Sequence, residues 1–104
     1  MAILLDEKFI ETSEGIINQL GFKDIKSFVK NQALLMMMAK IDKYESESRF
    51  FERKNRMSFG DFRQKIEERK ENEVFEEEDD YLDWRFCKEV LEGLRRQKQE
   101  LEHA

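Results

Sequence analysis

The sequence predicts a mainly α-helical fold. We expect a short N-terminal strand, a two-helix head with a long second helix, then one short and one long C-terminal helix. The 104 residues include no proline and only four glycines, so little in the chain interrupts a helix. Apolar residues recur at steps of three and four along most of the chain. Because 41% of the residues are charged, the core of one copy is small, and we expect a dimer.

The predicted head covers residues 1–55 and begins with the apolar stretch Met1 to Leu5, which is expected to form the strand. Asp6 and Glu7 place acids at the positive end of a helix dipole, and Gly21 is a natural helix stop. A first helix is therefore predicted over residues 6–20. A second, longer helix should run from Asp24 to near residue 55.

The second helix carries a stripe of residues spaced as in a coiled coil: Leu34, Met37, Ile41, Tyr44, Ser48 and Phe51. Between Ala33 and Ala39 this helix is apolar on all sides, which one neighbouring helix cannot cover. We therefore expect the head to dimerise through the strand and this helix. The predicted interface consists of Ile3, Leu5, Phe28, Leu34, Leu35, Met37, Met38, Ile41, Tyr44 and Phe51.

The predicted tail, residues 56–104, begins with a helix-start motif. Ser58 and Asp61 form a variant capping box, which predicts a short helix ending near residue 70. The acid run Glu76 to Asp80 predicts a solvated linker over residues 71–80. Asp79 or Asp80 should then cap a final helix, whose apolar stripe is Trp84, Cys87, Leu91, Leu94 and Leu101.

Charge divides the chain unevenly. Residues 1–70 hold 14 basic and 12 acidic residues, whereas residues 71–104 hold 5 basic and 12 acidic ones. An acidic tail behind a nearly neutral head suggests that the two halves have different partners.

Several classes of protein do not fit this composition. The longest apolar run, residues 33–39, is far shorter than the roughly 20 residues that cross a bilayer. Cys87 is the only cysteine, which excludes an internal disulfide, and together with the lack of a signal peptide it predicts a cytoplasmic protein.

The sequence gives little support to catalysis or to metal binding. Its one histidine, His103, stands near the C-terminus, and there is neither a glycine-rich phosphate loop nor a nucleophile elbow. Glu100 and His103 have the spacing of a di-metal motif without the further glutamates that such a site needs. We expect no enzyme, no catalytic residue, no metal, no cofactor and no small-molecule substrate.

Three short motifs in residues 1–44 resemble a known family. The stretches are Leu5-Asp6-Glu7-Lys8-Phe9-Ile10, Leu20-Gly21-Phe22, and Ser27-Phe28-Val29-Lys30 with Ala33-Leu34. They are similar to the strand end, turn and second helix of ribbon-helix-helix antitoxins from bacteria and archaea. The tail, from Tyr44 through Met57-Ser58-Phe59 to Asp80-Tyr81-Leu82-Asp83-Trp84, is similar to tails in small toxin–antitoxin modules.

The resemblance implies a dimer that neutralises a cognate basic toxin, and the toxin expected is one that cleaves RNA. Aromatic anchors with acids around them would then bind the toxin, since aromatic residues carry much of the energy at such contacts. The residues to which this role falls are Phe59, Phe62, Phe75, Glu77, Asp80, Tyr81 and Trp84.

Two other functions stay open. One is a self-assembling helical protein with no nucleic-acid role. The other is a ribbon-helix-helix repressor, in which Lys23, Lys26 and Lys30 would contact DNA phosphates weakly. Ala2 and Leu4, at the strand positions that would face the bases, cannot form hydrogen bonds to base edges.

Overall fold

The computed structural model describes residues 6–69 and 74–104. Four helices account for most of them: α1 (Glu7–Gln19), α2 (Ile25–Asn55), α3 (Phe59–Glu68) and α4 (Phe75–Glu102). The mainly α prediction is confirmed. The predicted strand, with Ile3 and Leu5, lies outside the described residues.

Side-chain caps set the starts of the first three helices. Asp6 accepts a hydrogen bond from the backbone N–H of Phe9 at 2.8 Å, and Asp24 accepts one from that of Ser27 at 2.8 Å. The Ser27 bonds lower the pKa of Asp24, because they stabilise its charged form. Ser58 accepts from Asp61 N–H at 3.2 Å, as the capping motif predicts.

The turns between these helices use left-handed backbone. Gly21, with φ of 94°, follows α1, so the predicted glycine stop is confirmed. Arg56 takes φ of 55° directly after α2, whose predicted end near residue 55 is also confirmed.

The predicted linker over residues 71–80 is wrong for Phe75 to Asp80, which form the first turns of α4. Three acids in that first turn face the positive end of the helix dipole, which stabilises them there. One of these three, Glu77, also pairs with Lys65 on α3, and Asp80 pairs with Lys54 on α2. Neither Asp79 nor Asp80 caps the helix as predicted, because its N-cap residue is Val74. Residues 70–73 lie outside the described part.

The chain divides into two compact units, Met1–Met36 and Met37–Ala104. The division falls within α2 rather than at residue 55, because the second half of that helix packs with α3 and α4. α2 and α4 are antiparallel there: Lys54 pairs with Asp80, and further along Glu45 pairs with Arg95.

Trp84 lies at the centre of the C-terminal unit and is only 1% exposed. Its indole N–H donates to the hydroxyl of Ser48 on α2 at 2.9 Å. The ring of Phe51 stacks on it at 6.1 Å between centroids, and Phe59 and Phe62 of α3 lie against it at 5.3 and 5.6 Å. One tryptophan therefore joins three helices.

From Trp84 toward the C-terminus of α4, the predicted apolar stripe lies on the buried side of the helix. Cys87 and Leu91 are buried, and so is Ile41 on α2. None of the helices in the described part of the chain combines the length and apolarity needed to cross a bilayer.

Replacement of Ser48 with alanine tests the role of the Trp84 hydrogen bond. The variant leaves the buried indole N–H without its acceptor, so we expect a loss of about 1–3 kcal/mol in the free energy of unfolding, measured with urea. Ser46→Ala is the matched control, since its hydroxyl accepts an exposed hydrogen bond from Arg49. Equal stability of the two variants would contradict this account of the core.

Candidate protein-binding surfaces

An apolar surface lies open on the N-terminal unit. A concavity of about 280 Å³ is lined by Phe9, Ser13, Ile16, Ile17, Leu20 and Phe28, and this set is named the N-terminal apolar face. Ile17 is buried, whereas Ile16 and Leu20 are 52% and 62% exposed. No lining residue is charged, so the face suits an apolar partner surface.

A second concavity lies on the C-terminal unit, between α2 and α4. This α2–α4 groove has a volume of about 400 Å³ and is lined by Ser46, Glu47, Phe50, Phe51, Asp83, Phe86 and Cys87. Phe50 is 52% exposed and Phe86 is 57% exposed. The groove therefore combines aromatic walls with two carboxylates.

Cys87 forms part of the groove floor and is not a reactive thiol. Burial, together with the carboxylate of Glu47 that accepts from Sγ at 3.3 Å, raises its pKa to about 11. The charge of Asp83 acts in the same direction. At neutral pH the group is therefore the protonated thiol, which is a poor nucleophile.

The structure places three of the ten predicted interface residues inside one chain. Ile41 is buried, Tyr44 contacts Phe86 of α4 at 6.3 Å between ring centroids, and Phe51 stacks on Trp84. These contacts arise because α4 is long and amphipathic enough to cover the coiled-coil stripe of α2 itself.

The other predicted interface residues in the described part of the chain lie nearer the surface. Leu35 and Met38 are exposed, while Leu34 and Met37 are half-buried. Phe28 lines the N-terminal apolar face and contacts Phe22 edge to face at 5.4 Å. Of the predicted set, Phe28 lines the N-terminal apolar face and Phe51 lines the α2–α4 groove.

Most of the predicted partner-binding aromatics form the core of the C-terminal unit. Phe62 is fully buried beside Trp84, and the rings of Phe59 and Tyr81 stack on each other at 5.9 Å. Phe75 is 77% exposed, whereas Phe59 and Tyr81 are half-buried. The rings pack together because they lie on the facing sides of α3 and α4, which their spacing in sequence did not reveal.

The predicted acidic contacts also have partners within the unit. Asp80 is buried and accepts from Lys54 at 3.0 Å and from Asn55 at 3.4 Å. Glu77 pairs with Lys65 at 3.2 Å and with Arg69. Part of the acid run therefore fastens the start of α4 to α2 and α3.

The lysines proposed to contact phosphate lie close together at the start of α2. Lys23 and Lys26 are exposed and Lys30 is partly exposed. Weak DNA contact by these lysines stays a prediction. Across residues 6–69 and 74–104, no group of three or more acidic, histidine or cysteine side chains is placed to hold a metal ion.

The α2–α4 groove is the feature that the sequence interpretation missed. Phe50 and Phe86 each stand one position before a residue of the apolar stripes, Phe51 and Cys87. An aromatic beside a stripe widens the apolar side of its helix beyond what one neighbour covers. This wider apolar side was the signal in the sequence that could have predicted an exposed aromatic wall.

Glu77 gives the structure a specific acid sensitivity. Its bond to Arg69, supported by Lys65, lowers the pKa of its carboxyl below the ordinary 4.5. The pairing therefore stabilises the fold above pH 4.5, and this contribution is lost as pH falls through the lowered pKa. We expect Glu77→Gln to be less stable than wild type at pH 7 and the two to converge at acid pH, in urea titrations across pH.

Glu100→Gln is the matched control, because Glu100 is exposed near the far end of α4. Its stability should follow that of wild type at every pH. If the free energies of unfolding of Glu77→Gln and wild type differ by the same amount at every pH from 7 to 2, the Glu77 pairing is not the cause of the acid sensitivity.

Comparisons with known proteins assign no family to the chain. No family model, curated protein or solved structure matches it. A functional proposal therefore has to rest on the two surfaces described above.

Proposed function

We propose that this protein is a homodimeric protein-binding protein, in which the N-terminal unit joins two copies and the C-terminal unit binds another protein. The observation that carries the proposal is the open N-terminal apolar face. Among the described residues of that unit, only Ile17 is buried. Two helices with one buried residue gain little from burial, so a partner surface is needed to complete their core.

A second copy is the partner that the charges favour. Residues 6–36 carry five acids and four bases, so two copies of the unit would repel each other only weakly. Because the lining of the face is uncharged, the same face of a second copy can pack against it across a twofold axis. Leu35, two helical turns after Phe28 on the same side of α2, would extend that contact.

Charge placed on the N-terminal apolar face tests the dimer. Ile16→Asp and Leu20→Asp would bury an unpaired carboxylate in the interface, so we expect each to weaken dimerisation at least tenfold, roughly 1.4 kcal/mol. Both side chains are exposed in one copy, so the unit itself tolerates the change. Sedimentation equilibrium over a range of concentrations measures the effect.

Leu82→Asp is the control for that experiment. Leu82 is an exposed leucine on α4 that lines neither surface, and the variant should dimerise like wild type. A wild-type chain that sediments as one copy at about 1 mM, which implies a dissociation constant weaker than that, would refute the dimer.

Antitoxin activity is the second candidate, and the acid-lined groove favours it. The carboxylates of Glu47 and Asp83, with the excess of acids over bases in residues 71–104, would attract a basic toxin. Because the tail aromatics are packed in a folded unit, binding would use a preformed surface rather than an extended wrapping tail. Inhibition would be steric, by covering the face of the toxin that holds RNA.

Co-expression with the product of the neighbouring gene tests this candidate. We expect that product to arrest growth alone, and growth to recover when this chain is present in excess. Purification of the mixture should yield a complex of the two. A neighbour that neither arrests growth nor binds would exclude the antitoxin role and leave the dimer proposal standing.

A further inference from the structure

We propose that the α2–α4 groove binds an amphipathic helix of another protein, one that carries Lys or Arg beside its apolar side. This inference rests on the proposed function only in that a protein docks on the C-terminal unit. Self-association of the N-terminal unit is not required for it.

The aromatic walls of the groove are held in place before any partner arrives. Phe50 packs against Phe51 at 5.4 Å between ring centroids, and Phe86 packs against Tyr44 at 6.3 Å. Phe51 is itself fixed by the stack on Trp84. Because these rings are already ordered, binding costs little conformational entropy and gains the apolar area that Phe50 and Phe86 leave exposed.

The carboxylates select the charge of the partner. Glu47 and Asp83 line the groove, and none of its lining residues is a Lys or Arg. Within the described residues, neither carboxylate makes an ion pair with a base, unlike Glu77 and Asp80. Basic side chains at the edge of an incoming helix would meet both charges without displacing an existing pair.

The shape of the groove favours a helix. It follows two antiparallel helices on the side away from α3: α3 contacts α4 through Tyr81 and Trp84, whereas Asp83 and Phe86 line the groove. An added helix would complete a four-helix arrangement around α2 and α4. Apolar anchors three and four residues apart would fit between Phe50 and Phe86.

The exposed helix of a second copy is a poorer occupant. α1 carries Glu7, Glu11 and Glu14 but only one lysine, Lys8. Its docking in the groove would place like charges near Glu47 and Asp83, which costs affinity. A basic helix from another protein is therefore the favoured ligand.

Three labelled peptides of about 18 residues, five helical turns, test the proposal on the full-length protein. The first has leucines on one side with lysines beside them, the second replaces each lysine with glutamate, and the third scrambles the first. In fluorescence anisotropy we expect saturable binding of the lysine peptide alone. Phe50→Ala and Phe86→Ala should each weaken it at least tenfold, and Glu47→Gln with Asp83→Asn should weaken it and reduce its salt dependence.

Matched variants separate the groove from general attraction to an acidic protein. Phe75→Ala removes a more exposed phenylalanine from α4, and Glu92→Gln with Glu100→Gln removes two charges elsewhere on that helix. Both should bind the lysine peptide like wild type. Equal binding of the lysine and glutamate peptides, or groove variants that bind like wild type, would overturn the proposal.

The experiments can contradict the proposed dimer and the proposed groove ligand independently of each other. Peptide binding by the Ile16→Asp variant, or by a wild-type protein that proves to be a single copy, would support the groove independently of self-association. Loss of dimerisation in Phe50→Ala and Phe86→Ala would instead show that a second copy occupies the groove, and would overturn the proposed partner.

Discussion

The burial of Trp84 is the constraint on which the C-terminal unit depends. A tryptophan contributes a large apolar area, yet its indole N–H must find an acceptor when it is buried. Ser48 on α2 supplies that acceptor, and Phe62 on α3 packs against the indole ring. Trp84 therefore fixes how the three helices pack, together with the ion pairs that Asp80 and Glu77 make with α2 and α3. The surfaces of the unit follow from that packing.

The same packing determines which aromatics stay outside. Because Phe51 stacks on Trp84, the neighbouring Phe50 lies on a different side of α2 and is exposed to solvent. On α4, burial of Cys87 leaves Phe86 in the equivalent position. The α2–α4 groove is thus a consequence of how the core is filled.

Charged residues of the chain serve two different purposes. Asp80 and Glu77 are paired with bases of α2 and α3, so they hold the start of α4 rather than attract a partner. Glu47 and Asp83 line a concave surface and lack such pairs among the described residues. A run of acids in a sequence therefore gives the charge of a region but not the task of each carboxylate.

The sequence alone determined most helix boundaries, because capping residues, glycine stops and apolar spacing act over a few neighbouring positions. It missed the start of α4, which begins at Phe75 instead of after Asp79 or Asp80. Asp6, Ser58 and Gly21 mark boundaries that the structure confirms. The tertiary structure decided what covers each stripe, because packing depends on residues far apart in the chain. Periodicity showed that α2 needs a neighbour along Ile41 to Phe51, and only the fold shows that this neighbour is α4 of the same chain.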